Sequence, residues 1–306
     1  MKLQTQDVKK VLKNHGITHL NISFEDLKAD NNIIYVIKTF DKKYVLKIFN
    51  KKYVDVKKNH GELINFLVKK GIKTPKVYPN FQGEYMPKIK NRFYLLKDYV
   101  EGQILPNTVS FERSKSLGKE VSKIHDFKVS EGFEEYFWPE KKTEFEHLNK
   151  SEKELMKKVL QNLSILKSKN LSKGFIHGDL VQLNFIFKKN ELISFIDWDF
   201  THVDFFGVEL GIIFEHCYLS DERLQKDRIK KFLQAYTKKI KLKEDDYKLI
   251  REIMFYRLLK NIDWGRQKQK EYPNNPNFPD WVEWETDKLK ILKTVTPETL
   301  RKILKE

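Results

Sequence analysis

Residues 175–199 of the sequence bring together side-chain types that could carry out phosphoryl transfer. His177, Asp179 and Asn184 form the pattern H-x-D-x-x-x-x-N, and Asp197 ends the mostly apolar run 193–196. Phosphoryl transfer needs a carboxylate that accepts the proton of the attacking hydroxyl group, and it needs carboxylate and amide oxygens that hold Mg²⁺ on the nucleotide phosphates. The stretch contains each of these groups, although polar side chains that cap turns at strand ends could produce a similar pattern.

The two motifs resemble those of a known family, the aminoglycoside phosphotransferase and choline kinase-like group of small-molecule kinases. The catalytic loop of that family commonly reads H-G-D-L-x-x-x-N, and its metal-binding segment reads I-D-W or I-D-F. In this chain residues 177–180 read HGDL and are followed by Asn184, and residues 196–198 read IDW. Protein kinases usually have Arg at the position of Gly178, so the resemblance favours a small-molecule kinase.

The resemblance implies a role for each motif residue. Asp179 would be the catalytic base that deprotonates a substrate hydroxyl group, and Asn184 and Asp197 would be ligands of Mg²⁺. The nucleotide would be ATP, with GTP as an alternative, and the acceptor would be a small hydroxylated molecule, aminoglycoside-like or amino-alcohol-like. A spore-coat-type or pseudokinase binding protein with little catalysis is the alternative function.

Lys47 resembles the phosphate-contacting lysine of the family. It lies in the strand-like run Tyr44–Phe49, whose alternation places Lys47 on the same face as Val45. A lysine among apolar neighbours is costly to bury without an anionic partner. We expect Glu62, in a predicted helix over Val54–Lys70, to be its protein partner and the nucleotide phosphates to be its ligand. Extension of the lysine from a strand edge into water is the competing interpretation.

Two further segments resemble nucleotide-binding parts of the family. Asp98, Tyr99 and Val100 correspond to the hinge, where backbone groups bind adenine. The predicted nucleotide loop, residues 26–32, ends on Asn32 and contains no glycine. Glycine would let backbone N–H groups approach phosphates closely, so the loop departs from the family pattern and is the feature that favours the non-catalytic alternative.

The resemblance implies an α+β, two-lobed protein-kinase-like fold. The N-lobe, residues 1–101, is expected to bind the nucleotide and to contain an antiparallel five-stranded sheet with strands at Leu20–Phe24, Ile33–Phe40, Tyr44–Phe49, Lys88–Lys90 and Phe93–Val100. The larger C-lobe, residues 102–306, is expected to be mostly helical and to carry the catalytic loop, the metal site and the acceptor pocket. Within it the aromatic and charged segment 127–148 is either part of the acceptor pocket or a surface loop.

The composition favours a cytoplasmic enzyme over a nucleic-acid-binding or membrane protein. The chain has 306 residues and a formal net charge of +16, with the positive excess concentrated in residues 1–100. It has neither zinc-ligand spacing nor an RNP-like aromatic motif, so we expect no nucleic acid partner. We also expect neither a secretory signal nor a membrane-spanning segment, because the sequence has no apolar run of the roughly 20 residues that span a bilayer. The single Cys217 favours a reducing compartment, and the sequence leaves the oligomeric state open.

Overall fold

The computed structural model describes residues 3–18, 22–27, 32–49, 60–105, 108–128 and 144–305. The chain divides into two compact units. The first unit consists of Met1–Gly102 and Ile193–Asp199, and the second unit consists of Gln103–Leu192 and Phe200–Glu306. The short segment Ile193–Asp199, which carries the predicted metal ligand Asp197, therefore belongs with the first unit, although the sequence division at residue 102 assigns it to the second lobe.

The first unit is built from strands and two helices. In chain order its elements are α1 (Thr5–Asn14), β1 (Ser23–Leu27), β2 (Ile33–Lys38), β3 (Lys43–Ile48), α2 (His60–Lys69), β4 (Val77–Tyr78), β5 (Lys88–Ile89) and β6 (Arg92–Asp98). The sheet order is β1-β2-β3-β6-β4, and β5 pairs with β6. The strand pairings in the described part of this sheet are all antiparallel, as expected from the sequence.

The strand count differs from the sequence prediction. Six strands occur in the described part of the first unit, because β4, with only two residues, is too short to leave a periodic pattern. The first strand begins at Ser23 rather than at residue 20, and residues 19–21 lie outside the described residues. The predicted helix over 54–70 is described from His60 onwards as α2, and its first six residues also lie outside the described part of the chain.

The two faces of this sheet have different environments because side chains alternate along each strand. One face packs against α1 and forms the apolar core, to which β3 contributes Tyr44, Leu46 and Ile48 and β6 contributes Tyr94 and Leu96. Val45 and Lys47 of β3 have the opposite parity and face the other way. The amphipathic pattern of the strands thus selects the face on which Lys47 lies, and we call it the site face.

Hydrogen bonds hold the segment Ile193–Asp199 against the rest of the first unit. The backbone N–H of Phe195 donates to the carbonyl of Lys73 at 2.8 Å. The indole N–H of Trp198 donates to the hydroxyl of Thr74 at 2.9 Å, and the Trp198 ring is buried against Phe195. The apolar residues before Asp197 are therefore strand and core residues.

The second unit is mostly helical. Its helices are α3 (Phe111–His125), α4 (Lys150–Lys167), α5 (Phe206–Tyr218), α6 (Lys226–Tyr236), α7 (Glu244–Glu271), α8 (Asn277–Lys293) and α9 (Pro297–Lys305). Its short strands are β7 (Gln103–Ile104), β8 (Lys173–Ile176), β9 (Phe185–Lys188) and β11 (His202–Phe205), while β10 (Glu191–Phe195) spans the point where the chain passes from the second unit to the first. Strand β7 pairs with β9 and β8 pairs with β11, both antiparallel.

Helix α5 is the central helix of the second unit. Twelve of its thirteen residues are buried, including Glu209 and Glu215, so it is apolar on nearly every side, as expected of a helix that is surrounded by others. Among the described residues, no helix is both long and apolar enough to span a membrane.

Candidate active site

The backbone of the predicted catalytic loop requires glycine at position 178. The loop follows β8, and Gly178 has φ of +82°, a conformation that L side chains rarely adopt. A Cβ atom at this position would lie 2.2 Å from the carbonyl oxygen of Phe200. Neither the backbone angle nor the space permits a side chain here. The difference from the Arg of protein kinases therefore has a local structural cause.

Glu209, from the buried helix α5, holds the catalytic loop. Its carboxylate accepts hydrogen bonds from the backbone N–H of Gly178 at 2.7 Å and from that of His177 at 3.0 Å. Burial alone would raise the pKa of Glu209, but the His125 ring and the His177 N–H more than compensate, so the pKa lies below its usual value. A fully buried carboxylate with several donors is a rigid anchor for the loop.

His125 supports Glu209 from the other side. Its Nε2 lies 3.1 Å from Glu209 Oε2, and its Nδ1 lies 2.7 Å from the Tyr236 hydroxyl group. The imidazole stacks on Phe206 with the ring centroids 4.2 Å apart. These contacts make His125 a buried structural histidine that orients Glu209.

Asp179 and Asn184 are brought together by the loop. The Asn184 amide nitrogen donates to the backbone carbonyl of Asp179 at 2.8 Å and to its carboxylate oxygen Oδ2 at 3.1 Å. Among the described residues, no donor contacts the amide oxygen of Asn184. Because the nitrogen is held by Asp179, this oxygen has the orientation that a hard cation such as Mg²⁺ requires of an amide ligand.

One cation of α7, Lys260, interacts with the Asp179 carboxylate. Arg257 and Lys260 are three residues apart, so they share one face of the helix. Partial burial and the charge of Arg257 lower the pKa of Lys260, and the Asp179 carboxylate acts in the opposite direction. Arg257 donates to His216 Nε2 at 2.7 Å. Burial lowers the pKa of His216 to about 3, so this ring does not add positive charge of its own near pH 7.

In the first unit, Lys47 lies between two carboxylates. Its ammonium group is 2.5 Å from Asp197 Oδ1 and 2.9 Å from Asp199 Oδ2. The residue is only 3% exposed. Burial alone would lower the pKa of Lys47, but Asp197 and Asp199 raise it, so the lysine carries its charge. The interpretation that Lys47 extends from a strand edge into water is therefore wrong.

The expected pairing of Lys47 with Glu62 is also wrong. Glu62 is exposed on the first turn of α2, and the ion pairs of Lys47 within the described part of the chain are those with Asp197 and Asp199. His60 at the start of the same helix contacts Asp199, with Nε2 3.4 Å from Oδ1. The helix thus contributes an imidazole where the sequence predicts a carboxylate.

The two carboxylates beside Lys47 differ in exposure. The Asp197 side chain is 40% exposed and the Asp199 side chain 9% exposed. Asp197 has φ of +64°, a left-handed conformation that Asp tolerates better than most residues. One of its carboxylate oxygens contacts the ammonium group of Lys47, and the accessible side chain is suited to bind Mg²⁺. Asp199, which the sequence analysis did not assign, is the buried counterion of Lys47.

The predicted hinge residues continue β6. The N–H groups of Asp98 and Tyr99 donate to the carbonyls of Lys76 at 2.9 Å and Lys43 at 3.3 Å. The N–H of Val100 meets no acceptor among the described residues. The Asp98 carboxylate accepts from the Tyr78 hydroxyl group at 2.7 Å.

Asn32 is half-buried one residue before β2. Residues 28–31 of the predicted nucleotide loop lie outside the described residues. In the segment 127–148, residues 129–143 are likewise outside the described residues. Its described ends pack by ring contacts, Phe127 against Phe175 and Phe145 against Tyr256.

Comparison with protein families decides the classification. Residues 26–247 match the phosphotransferase enzyme family, and this match covers well over half of the 306 residues. The chain belongs to that family. The resemblance to aminoglycoside phosphotransferases and choline kinases, stated from the two motifs, is thereby confirmed. A homoserine kinase of Agrobacterium fabrum is 25% identical over 187 residues, and the matched part spans 57% of this chain and 57% of that protein.

Solved structures of kinases share the fold of this phosphotransferase-family chain. A microcompartment-associated aminopropanol kinase matches with a TM-score of 0.69 and 15% identity, covering 93% of this chain and 96% of that one. An amicoumacin kinase in complex with AMP-PNP, Ca²⁺ and its ligand Ami matches with a TM-score of 0.69 and 16% identity, covering 97% and 95%. At such identities the likeness concerns the fold, and the predicted α+β kinase-like class is confirmed.

Proposed function

We propose that the protein is an ATP- or GTP-dependent phosphotransferase that moves the γ-phosphoryl group to a hydroxyl group of a small, amino-alcohol-like molecule. The observation that carries the proposal is the Asp179–Asn184 pair, in which the asparagine nitrogen is held by Asp179 and its oxygen is left for a metal ion. A carboxylate base beside an amide ligand is the arrangement that phosphoryl transfer to an alcohol needs. Membership of the phosphotransferase family supports the same reaction class.

The proposed roles follow from the environment of each residue. Asp179 accepts the proton of the acceptor hydroxyl group. Lys47, whose charge is maintained by Asp197 and Asp199, holds the nucleotide phosphates, while Val100 offers its N–H to the base. Glu209 acts through the loop, because it fixes the backbone of His177 and Gly178 and with it the direction of Asp179.

Asn184 and Asp197 are the proposed Mg²⁺ ligands. Both offer an oxygen, the ligand atom that Mg²⁺ prefers. When bound, the ion would neutralise the negative charge of the phosphates during transfer. Asn184 keeps its amide oriented through Asp179, and the Asp197 carboxylate is held by its ion pair with Lys47, so the chain supplies pre-oriented ligands.

The charge beside Asp179 restricts the acceptor. Lys260 would repel a polycationic aminoglycoside-like acceptor near the base, but it would attract an acceptor that carries a carboxylate next to its amine. A small amino alcohol with a carboxylate, for which the relative that is a homoserine kinase gives a precedent, therefore fits better than an aminoglycoside. Asp263 on the same helix is engaged by the backbone N–H of His147 at 2.8 Å and is less available to bind an amine.

A binding protein with little catalysis is the second candidate, favoured by the absence of glycine from residues 26–32. A thermal-shift titration with nucleotide and Mg²⁺ would show binding for both candidates. Only the phosphotransferase forms a phosphorylated product, so nucleotide-dependent product formation separates them. The single Cys217, which is buried, suits the cytoplasm as the proposed location.

The test is product formation with acceptors in matched pairs that differ by one carboxylate, L-homoserine against 3-amino-1-propanol and L-serine against ethanolamine. We expect the carboxylate member of a pair to be preferred by about tenfold or more, the effect of one charge-assisted contact. Lys260→Gln should remove that preference, whereas Lys248→Gln, on an exposed turn of the same helix, should not. Equal rates within both pairs for the unmodified protein would refute the assignment of Lys260, and no transfer to any acceptor would refute the phosphotransferase itself.

A further inference from the structure

Lys97 is a second lysine on the site face of the first unit. In the β3–β6 pairing Val45 is opposite Lys97, and Lys47 is opposite Leu95. Lys97 therefore has the same parity as Leu95 and lies on the face of Val45 and Lys47, away from the core formed with α1. The β6–β4 pairing places Val77 on its other side.

The side chain of Lys97 lines a cavity of the first unit. Lys47, Leu95, Ile64, Thr74 and Asp199 line the same cavity. Lys97 is half-buried, and among the described residues its ammonium group forms neither an ion pair nor a hydrogen bond. Burial and the neighbouring charge of Lys47 lower the pKa of Lys97 to about 8. A half-buried amine without a protein acceptor is costly unless a ligand supplies one.

The position of Lys97 relates it to the base of the nucleotide. In the proposed function the phosphates lie at Lys47 and the base reaches the N–H of Val100, three residues after Lys97. Adjacent side chains on one face of a strand are separated by roughly 6.5–7 Å. The row that contains Val45 and Lys97 is one such step from the row of Lys47, in the direction of the hinge. In the proposed function, a purine that bridges the phosphate position and the hinge would pass along this row.

The two purine nucleotides differ at the atom that such a residue would meet. The substituent at position 6 of the base is an oxygen, an acceptor, in guanine and an amino group, a donor, in adenine. A lysine offers donors only. The lysine ammonium group can therefore donate to the 6-oxygen of guanine. Opposite the 6-amino group of adenine it finds no acceptor, so the ammonium group and the amino group both lose hydrogen bonds to water without replacement.

We propose that Lys97 is a specificity-determining residue of the nucleotide site, which donates a hydrogen bond to the 6-oxo group of the base and makes GTP the preferred phosphoryl donor over ATP. The proposal rests on the proposed function only in the placement of the nucleotide, since base preference can be measured without an acceptor. Hydrogen bonds to charged groups and the loss from unpaired buried donors predict a preference of roughly 10- to 100-fold.

The test is the dissociation constants of ATP, GTP and ITP with Mg²⁺, measured by calorimetric titration of the whole chain. ITP has the 6-oxo group but lacks the 2-amino group of guanine, so it isolates the position that Lys97 would contact. We expect GTP and ITP to bind at least tenfold more tightly than ATP. Lys97→Met should weaken GTP and ITP by about tenfold or more and change ATP by less than about threefold. Lys88→Met, on the exposed strand β5, is the control and should change none of the three.

Several results would overturn the proposal. Tighter or equal binding of ATP by the unmodified protein would do so, as would an equal loss for all three nucleotides in Lys97→Met, which would make Lys97 a phosphate contact. If Lys97→Met does not fold, Lys97→Gln replaces it, and its amide, which both donates and accepts, should bring ATP and ITP to similar affinities. A base preference without transfer to any acceptor would refute the proposed function but leave the role of Lys97 standing, and failure to bind any nucleotide would refute both.

Discussion

The Glu209 carboxylate accepts the backbone N–H of Gly178 at 2.7 Å, and this bond joins the central helix of the second unit to the loop that carries Asp179. A second bond, from the N–H of His177, ends on the other carboxylate oxygen. Two successive peptide groups are thus fixed by one buried anion. The rigid backbone before Asp179 is what such an anchor provides, and each of its parts can be tested separately.

Glu209→Gln should destabilise the protein and lower its turnover. The amide NH₂ group cannot accept a hydrogen bond, so one of the N–H groups of His177 and Gly178, or the ring of His125, loses its acceptor. An unsatisfied buried donor costs roughly 1–3 kcal/mol, which urea unfolding of the two proteins would measure. Glu112→Gln, at an exposed residue on the first turn of α3, is the control. A free energy of unfolding equal to that of the unmodified protein would contradict the anchoring role.

The contribution of Glu209 should depend on pH. Its pKa in the folded protein is lowered from the model-compound value of 4.5, because the donors around it outweigh the effect of burial. A group with a lowered folded pKa contributes stability above its unfolded pKa and loses it as the pH falls through the folded value. The difference in unfolding free energy between the unmodified protein and Glu209→Gln should therefore be constant from about pH 7 to pH 5 and shrink below about pH 4.5. A difference that grows in acid would have the wrong sign.

The variants Gly178→Ala and Gly83→Ala separate the cost of a left-handed backbone conformation from the cost of a steric clash. Both glycines have φ of +82°, but a Cβ at Gly178 would lie 2.2 Å from the Phe200 carbonyl oxygen, whereas nothing lies within 4 Å of one at Gly83. The left-handed conformation alone should cost roughly 1–2 kcal/mol at Gly83. At Gly178 the loop must also move, so we expect a larger loss of thermal stability together with a loss of activity. Equal losses at the two sites would show that Phe200 gives way easily.

Asp197→Asn and Asp199→Asn should separate metal binding from charge compensation. Asp197 is the more exposed carboxylate beside Lys47, so its loss should cost about 1 kcal/mol or less in unfolding free energy but abolish Mg²⁺-dependent turnover. Asp199 is the buried counterion of Lys47 and also contacts His60. Its loss should cost about 3 kcal/mol, as expected for breaking a buried pair. Near-normal turnover of Asp197→Asn at saturating Mg²⁺ would remove Asp197 from the metal site.

Local sequence patterns predicted the parts of this protein that are encoded locally. Strand alternation placed Lys47 on the face of Val45, which is the face opposite the core in the structure, and the helix near residues 60–70 follows from its apolar spacing. The partners of Lys47 did not follow, because Asp197 and Asp199 lie about 150 positions away in the chain and only the fold of Ile193–Asp199 brings them together. The short strand β4 left no periodic signal, and Lys97 looked like one more lysine in a Lys-rich chain. Glu209 could be recognised only as an acid in an apolar helix, a signal that indicates burial but does not name its partners.

The central claim is that Asp179 is the base of a phosphoryl transfer, and Asp179→Asn tests it most directly. The substitution preserves the size of the side chain and leaves the backbone carbonyl that holds Asn184, but it removes the proton-accepting oxygen. General-base catalysis contributes typically about 10²- to 10⁴-fold. With an acceptor from the matched pairs, kcat should therefore fall by at least about a hundredfold, while the dissociation constant of the nucleotide, measured by titration, stays within about threefold. Turnover within a factor of a few of the unmodified protein would contradict the account.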